Sequence, residues 1–466
     1  MHTENKRNQI AWPGLRVLRA CVVNFSQVLR ELRPTLALAL PMIMASVSQM
    51  LIGITDAAFI GRVGTVELAA AAFTHGIFGL LYIVGIGLLI PVGVYTARDH
   101  GAGDVASCAA WLRHGKVLAL IAGSGAFVLL AAVSTQLTHF GQPPEVVAVV
   151  RPFFLLNSLS LVPVFYFQVQ RQYLDAQGRP WVGTCIMLAD VALNASLNWV
   201  FIWGHLGVPA LGLTGSGIAT LIARTVAVSI IALWLRRDAH VPGGFERARF
   251  RELLKMGVPA AVSLLFESGA FAAAMLMMGW LGATPLAAHQ IALSCAAFTF
   301  MVPLGLSMAT GIRISKALGE GRREALRPIG FGSLGLTCCL MLTFATIFAL
   351  FGHTLAAGFT PDPAVIALAT RLLVVAAIFQ LFDGGQVVSA GMLRGLTDVK
   401  VPTVITFIAY WIISLPVGYW LAFHTTLGPI GVWSGLAAGL SVAAVLLARR
   451  FHRLTAGDAK ILNPAA

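Results

Sequence analysis

Four carboxylates stand inside stretches that are otherwise too apolar to hold them: Asp56, Asp190, Glu267 and Asp383. An ionised side chain at the centre of a bilayer costs about 3 kcal/mol or more. Such a group either trades its charge, by taking up and releasing a proton or a cation, or stays protonated and tied to neighbours for helix packing. Asp383 lies in "FQLFDGGQVV", with Gln380 and Gln386 three residues to either side on adjoining positions of one helix. Counted from the basic ends of their apolar runs at the helical rise, Glu267 is roughly 18 Å deep and Asp383 about 14 Å deep. Two carboxylates at matched depth in one cavity would titrate as a coupled pair, and with amide neighbours they could hold either a proton or a Na+ ion. Asp56 follows Gln49 by seven residues, so the two share a helix face. Asp190, Asn194 and Asn198 recur every four residues as a polar stripe, in which Asp190 suits a structural role as well as a functional one.

The elements that must position these groups are membrane helices. Of the 466 residues, 58% are hydrophobic and 11% are charged, against about 25% charged in soluble domains. Twelve apolar runs of about 20 residues can be counted. They cover approximately 35–60, 67–94, 113–134, 148–171, 181–203, 212–235, 255–281, 286–311, 328–351, 365–392, 401–423 and 428–448. All of the 32 Lys and Arg except Arg62, Arg151, Arg224 and Arg371 fall before span 1, after an even-numbered span or at the end of the chain. By the positive-inside rule both termini are then cytoplasmic. The net charge of +13 faces anionic inner-leaflet lipid, so no nucleic-acid partner is implied. The N-terminal arm lacks the pattern of a cleaved signal peptide. The six cysteines have no metal-ligand spacing and read as small apolar packing residues.

An offset of 218 residues aligns two halves without gaps from Pro41/Pro259 to Gly103/Gly321, with "GRVGTVELAA" over "GWLGATPLAA" and six coincident glycine pairs. Six spans separate the copies, so both insert with the same orientation. The expected fold is an all-α polytopic membrane protein with twelve transmembrane helices in two six-helix lobes and a V-shaped cavity between them. The expected divisions are a cytoplasmic arm (1–34), an N-lobe (35–235), a linker (236–254), a C-lobe (255–450) and a cytoplasmic tail (451–466).

Phe266, Phe271, Met275, Phe298, Phe300, Met301, Phe379 and Phe382 could line a pocket for flat lipophilic cations or could be core and lipid-facing residues. His289 and Gln290 could bond across helices or touch cargo. Pro41 and four other mid-span prolines are either gating bends or ordinary kinks. Walker and HExxH motifs are absent, as is a nucleophile with a nearby base, so the expectation is an ion-driven transporter rather than an enzyme.

The segments "LAAHQIALSCAAFTFMVPLGLSMATGIRISKALGEG" (Leu286–Gly321), "FQLFDGGQVVSAGMLRGLTDVKVP" (Phe379–Pro402), "ITDAAFIGRVGTVELAA" and "LNASLNWVFIWG" closely resemble the multidrug and toxic compound extrusion (MATE) family, in its NorM-like bacterial branch. The resemblance runs from about Pro34 to Arg450. It implies coupling carboxylates at Asp56, Glu267 and Asp383 and a bending proline at Pro41. It also implies a first-lobe polar site at Asp56, Asn194, Asn198 and Thr220, where Asn198 replaces the aspartate of the DinF-like branch. It further implies outward antiport of lipophilic cationic drugs against Na+ or H+, without a cofactor, by a monomer in a bacterial inner membrane. The alternative is a flippase for lipid-linked oligosaccharide or another amphiphile, which would need basic residues in its cavity.

Overall fold

The computed structural model describes residues 25–141, 143–236 and 243–456. Expectations for the first 24 residues (Cys21 among them), for 237–242 and for 457–466 lie outside the described residues. Twelve described helices are long and apolar enough to cross a membrane: α1 Ser26–Gly61, α2 Thr65–Gly101, α3 Val105–Ser134, α4 Pro144–Ala176, α5 Pro180–Trp203, α6 Gly212–Leu235, α7 Arg247–Leu281, α8 Ala283–Gly319, α9 Arg323–Ala357, α10 Pro363–Gly395, α11 Lys400–Phe423 and α12 Pro429–Ala456. Local chemistry sets several of their starts. Asp104 accepts from the Ser107 amide and Asp362 from the Ala364 amide, both at 2.9 Å. Pro144, Pro180 and Pro363 occupy first-turn positions, where a missing N–H costs nothing. The Ser107 amide holds the Asp104 carboxyl below its usual range.

Several helices outrun the membrane. The 37 residues of α2 and of α8 span about 55 Å at 1.5 Å each, against a hydrocarbon core of about 30 Å. The surplus carries charged residues at the basic-loop end, which a search for apolar runs leaves out. Helix α1 therefore begins inside the expected arm, α7 inside the expected linker, and α12 runs into the expected tail.

The repeat reappears as matched hydrogen bonds. Thr184 Oγ1 on α5 donates to the Pro41 carbonyl of α1 at 2.8 Å, and Thr403 Oγ1 on α11 donates to the Pro259 carbonyl of α7 at 2.9 Å. The turns after α4 and α10 both contain a left-handed residue, Gly178 (φ 79) and Thr397 (φ 62), the latter strained for a β-branched side chain. Each lobe also departs from its twin once. Helix α4 is interrupted at Ser160, and α11 contains a π-helical stretch, Ile408–Ser414.

Trp111, Phe153, Phe165 and Tyr173 centre the core of the first lobe, and Phe379, Tyr410 and Trp433 that of the second. Between the lobes, α1 and α2 meet α7, α8 and α9. These contacts are backbone-close because glycines make them. A Cβ at Gly257 would stand 2.5 Å from the Leu88 carbonyl oxygen, and one at Gly305 would stand 2.6 Å from Ile43 Cγ1. At the basic-loop end, Gly101 abuts the Lys316 carbonyl and Gly319 the Arg98 carbonyl. Charged and polar groups reinforce this seam. Glu31 receives both Arg313 and Arg322, Ser315 Oγ reaches the Val94 carbonyl at 2.7 Å, and the Glu246 amide donates to His114 Nε2 at 2.7 Å. Arg249 holds the exposed Glu246 carboxyl below its usual range. All these inter-lobe contacts fall in the basic-loop halves of their helices.

Candidate functional site

Bordering that seam, the lobes enclose a cavity of about 480 Å³. Its wall is mainly apolar, built from α2 (Tyr82, Ile83, Ile86), α7 (Phe271) and α8 (Phe300, Met301). Polar groups enter from α1 (Gln49), α4 (Gln168, Arg171, Gln172, Asp175), α7 (Glu267) and α10 (Arg394). Arg171 Nε lies 3.9 Å from Asp175 Oδ2, one turn on, and Gln172 Oε1 accepts from the Gly93 amide at 3.2 Å. The Arg394 charge acts on Glu267. A second, much smaller cavity of about 30 Å³ lies against the same Glu267, Leu264, Ile90 and Arg394. It reaches between α7, α10 and α11 to Ser263, Pro402 and Thr403. That volume holds about one water molecule.

Of the residues expected to line a substrate cavity, Phe271, Phe300 and Met301 do so, while Phe382 packs against the second-lobe core. Met275 and Phe298 are 44% and 54% exposed on the outer surface, and Gln290 is also exposed. Their register on α7 and α8 turns them away from the partner lobe, which periodicity in an all-apolar run does not reveal. Phe266 packs on Phe407, and its carbonyl accepts from Trp411 Nε1 at 3.1 Å. His289 is buried and takes a hydrogen bond from Trp433 Nε1 at 3.1 Å. Phe379 is core, edge-on to Phe271 and Trp433. Gln380 Oε1 accepts from Thr299 at 3.0 Å, and Gln386 lines the small cavity.

The second-lobe carboxylates do share one interior. Asp383 is buried on α10, and its charge and that of Glu267 act on each other. Buried polar atoms without partners collect around them: Asp383 Oδ1, Gln386 Oε1, Gln380 Nε2, Ser389 Oγ and Tyr410 Oη. Unpaired buried polar atoms are costly, so a cluster of them marks a place where a small ligand or water completes the set. Among the described residues no group of three or more His, Cys, Asp or Glu could hold a metal ion.

The first lobe gathers Asp56, Asn194, Asn198 and Thr220 into one chain. Asn198 Nδ2 donates to Asp56 Oδ1 at 2.6 Å and to Asn194 Oδ1 at 3.1 Å, and Asn194 Nδ2 donates to Thr220 Oγ1 at 3.3 Å. Arg224, one turn beyond Thr220, is anchored to Ser160 Oγ at 2.5 Å and lies over the Phe78 ring at 5.5 Å. Its charge acts on both Asp56 and Asp190. Gln49 stands apart from this chain, in the wall of the main cavity.

Sequence reasoning placed Arg171 and Arg394 in connections and passed over Asp175. The structure puts all three inside α4 and α10, lining the cavity. The signal was available: Arg171 and Asp175 are four residues apart, and the turn residues Gly178 and Thr397 mark helix ends beyond them.

The MatE family profile matches the chain twice, at residues 41–200 and 259–420. The two starts are 218 residues apart, the spacing of the repeat. A probable multidrug resistance protein NorM from Mesorhizobium japonicum is 37% identical, over 91% of this chain and 94% of that protein. Multidrug resistance protein NorM from Burkholderia vietnamiensis is 36% identical, over 90% and 94%. Among solved structures, an outward-facing multidrug-resistance MATE transporter of the MOP superfamily superimposes with a TM-score of 0.85 at 22% identity, over 92% of this chain and 97% of that one. A MATE protein in a bent conformation does so at 0.85, over 93% and 98%.

Proposed function

The chain belongs to the MATE family of transporters, and from that premise we propose that it exports lipophilic organic cations by antiport against Na+ or H+. The observation that carries the reading is the main cavity itself, whose largely apolar wall includes Glu267. Apolar and aromatic side chains accept flat hydrophobic cations of many shapes, and one carboxylate supplies the charge.

The wall carries two carboxylates, Asp175 and Glu267, and two guanidinium groups, Arg171 and Arg394. Loading a proton or Na+ onto the Glu267/Asp383 pair leaves this set with a positive excess, which lowers affinity for a cationic passenger. Releasing the ion restores the balance. The seam at the basic-loop end makes this the state open away from that end. With basic loops in the cytoplasm of a bacterial cell, it is the state that releases drug outward and takes in the coupling ion. Pro41 and its counterpart Pro259 would be the bending points, each tied by a threonine to a neighbouring helix. The protein would work as a monomer.

Arg171 and Arg394 are the basic cavity residues that an amphiphile flippase would need. However, Asp175 lies beside Arg171 and Glu267 acts on Arg394, and these carboxylates disfavour a pyrophosphate. The test is transport in proteoliposomes loaded with ethidium, with a Na+ gradient and a pH gradient imposed separately. Ethidium movement driven by one of them is expected; movement driven by neither, or flipping of a fluorescent pyrophosphate lipid instead, would overturn the reading.

A further inference from the structure

The π-helical stretch of α11 has no counterpart in α5. The spacing of matched positions grows along the chain, from 218 at Pro41/Pro259 to 219 at Thr184/Thr403, and the second family match is two residues longer than the first. One added residue enters before Thr403 and the other after it, in the part of the match that contains Ile408–Ser414, opposite the part of α5 that carries Asp190 and Asn194. Isolated π-turns inside helices recur at functional sites.

This one points Tyr410 into the lobe. Tyr410 is fully buried beside Phe271, and its hydroxyl faces the Glu267 carboxyl, near enough to act on it as a donor but short of full hydrogen-bond geometry. The charged groups facing it are Glu267 from α7 and Asp383 from α10, with Arg394 acting on Glu267 from behind. A buried phenol O–H held short of its acceptor is expensive, and among the described residues the anions acting on it are the two proposed to carry the coupling ion.

We infer that the Tyr410 hydroxyl is the release group of the coupling site: it donates a hydrogen bond to the ionised carboxylate once the ion leaves, and so competes with the ion for that oxygen. The inference rests on the coupling role proposed above for Glu267 and Asp383. A phenol is the right group for the task. It donates to an anion, carries no charge of its own at neutral pH, and lets go when a proton or Na+ takes the oxygen. The π-turn supplies the register, and Trp411, the next residue, anchors it to the Phe266 carbonyl.

The test uses the full chain in proteoliposomes with tetraphenylphosphonium as cargo, under whichever ion gradient drives the wild type. Tyr410→Phe removes one oxygen and keeps the ring. The coupling ion should then half-saturate transport at a concentration about tenfold lower, with slower turnover because the ion leaves less readily. An unchanged or raised half-saturation overturns the inference. If Tyr410→Phe does not fold, infrared difference spectra of the wild type on ion addition decide. A shift in a phenol C–O band is expected, and its absence is fatal. Should Glu267→Gln and Asp383→Asn leave ion-driven transport intact, the coupling reading itself has failed. Should they abolish it while Tyr410→Phe changes nothing, only the role of Tyr410 falls.

Discussion

The two lobes carry the same scaffold and differently bonded polar interiors. In the first, Asp56, Asn198, Asn194 and Thr220 are joined in a continuous hydrogen-bonded chain, with Arg224 as a resident cation nearby. In the second, Glu267 and Asp383 are surrounded by polar atoms that have nothing to bond. Asn198 Oδ1 and Asp190 Oδ1 of the first lobe also lack partners, so the lobes differ in degree: the bonded chain rigidifies the first, and the larger set of open atoms leaves the second room for a ligand. On the proposed reading, ion coupling belongs to the second lobe and the first has a mainly structural role. It also shows how a duplicated fold can specialise: Arg224, Asp56 and the Ser160 break belong to one copy, and Glu267, Asp383 and the π-turn to the other.

The sharpest way to break the comparison is to neutralise each lobe in turn. Glu267→Gln or Asp383→Asn should cut gradient-driven efflux at least a hundredfold, whereas Asp56→Asn should cost tenfold or less, since an amide can stay in its chain (about 1–3 kcal/mol for a disturbed buried hydrogen bond). Equal losses, measured as initial rates in proteoliposomes, would dissolve the division of labour. The next test concerns what the lobes share. Gly319→Ala drives a methyl into the Arg98 carbonyl, so the seam cannot close as it stands. Export should fall about tenfold, and cysteines placed across the basic-loop end should become accessible to a membrane-impermeant thiol reagent, the signature of lost closure.

A milder loosening of the same seam is Glu31→Gln, which leaves Arg313 and Arg322 without their common anion. Breaking a partly buried pair of this kind should shift the equilibrium by about 1–2 kcal/mol toward opening at the basic-loop end, read as a longer distance between spin labels on α1 and α8. The smallest effect separates the twin threonines. Thr184→Val and Thr403→Val each remove one hydrogen bond to a proline carbonyl, worth about 1 kcal/mol, and should lower the melting temperature by similar small amounts. A transport defect confined to one of them would identify which proline bends.

Hydrophobic runs, alternating basic loops and a fixed glycine register were enough to read twelve spans and the repeat, because each follows from the cost of exposing backbone or charge to lipid. Glu267 and Asp383 were legible for the same reason. The cavity wall was legible only in part. Phe271, Phe300 and Met301 line it, whereas Met275 and Phe298, equally apolar and on the same helices, reach the surface, a difference set by the azimuth of α7 and α8 about their axes. Arg171, Asp175 and Arg394 escaped because their helices continue past the apolar stretch. Tyr410 was hidden because a π-turn depends on a length difference between the copies, which no single residue advertises.

Glu267 and Arg394 belong at once to the large chamber and to the small one beneath it. About one layer of side chains therefore separates the two cavities. A charge gained or lost at such a partition inside the bilayer feels a share of the membrane potential, which is worth about 2.3 kcal/mol per elementary charge per 100 mV over the full thickness. If Glu267 receives the coupling ion as proposed, membrane voltage biases its loading directly.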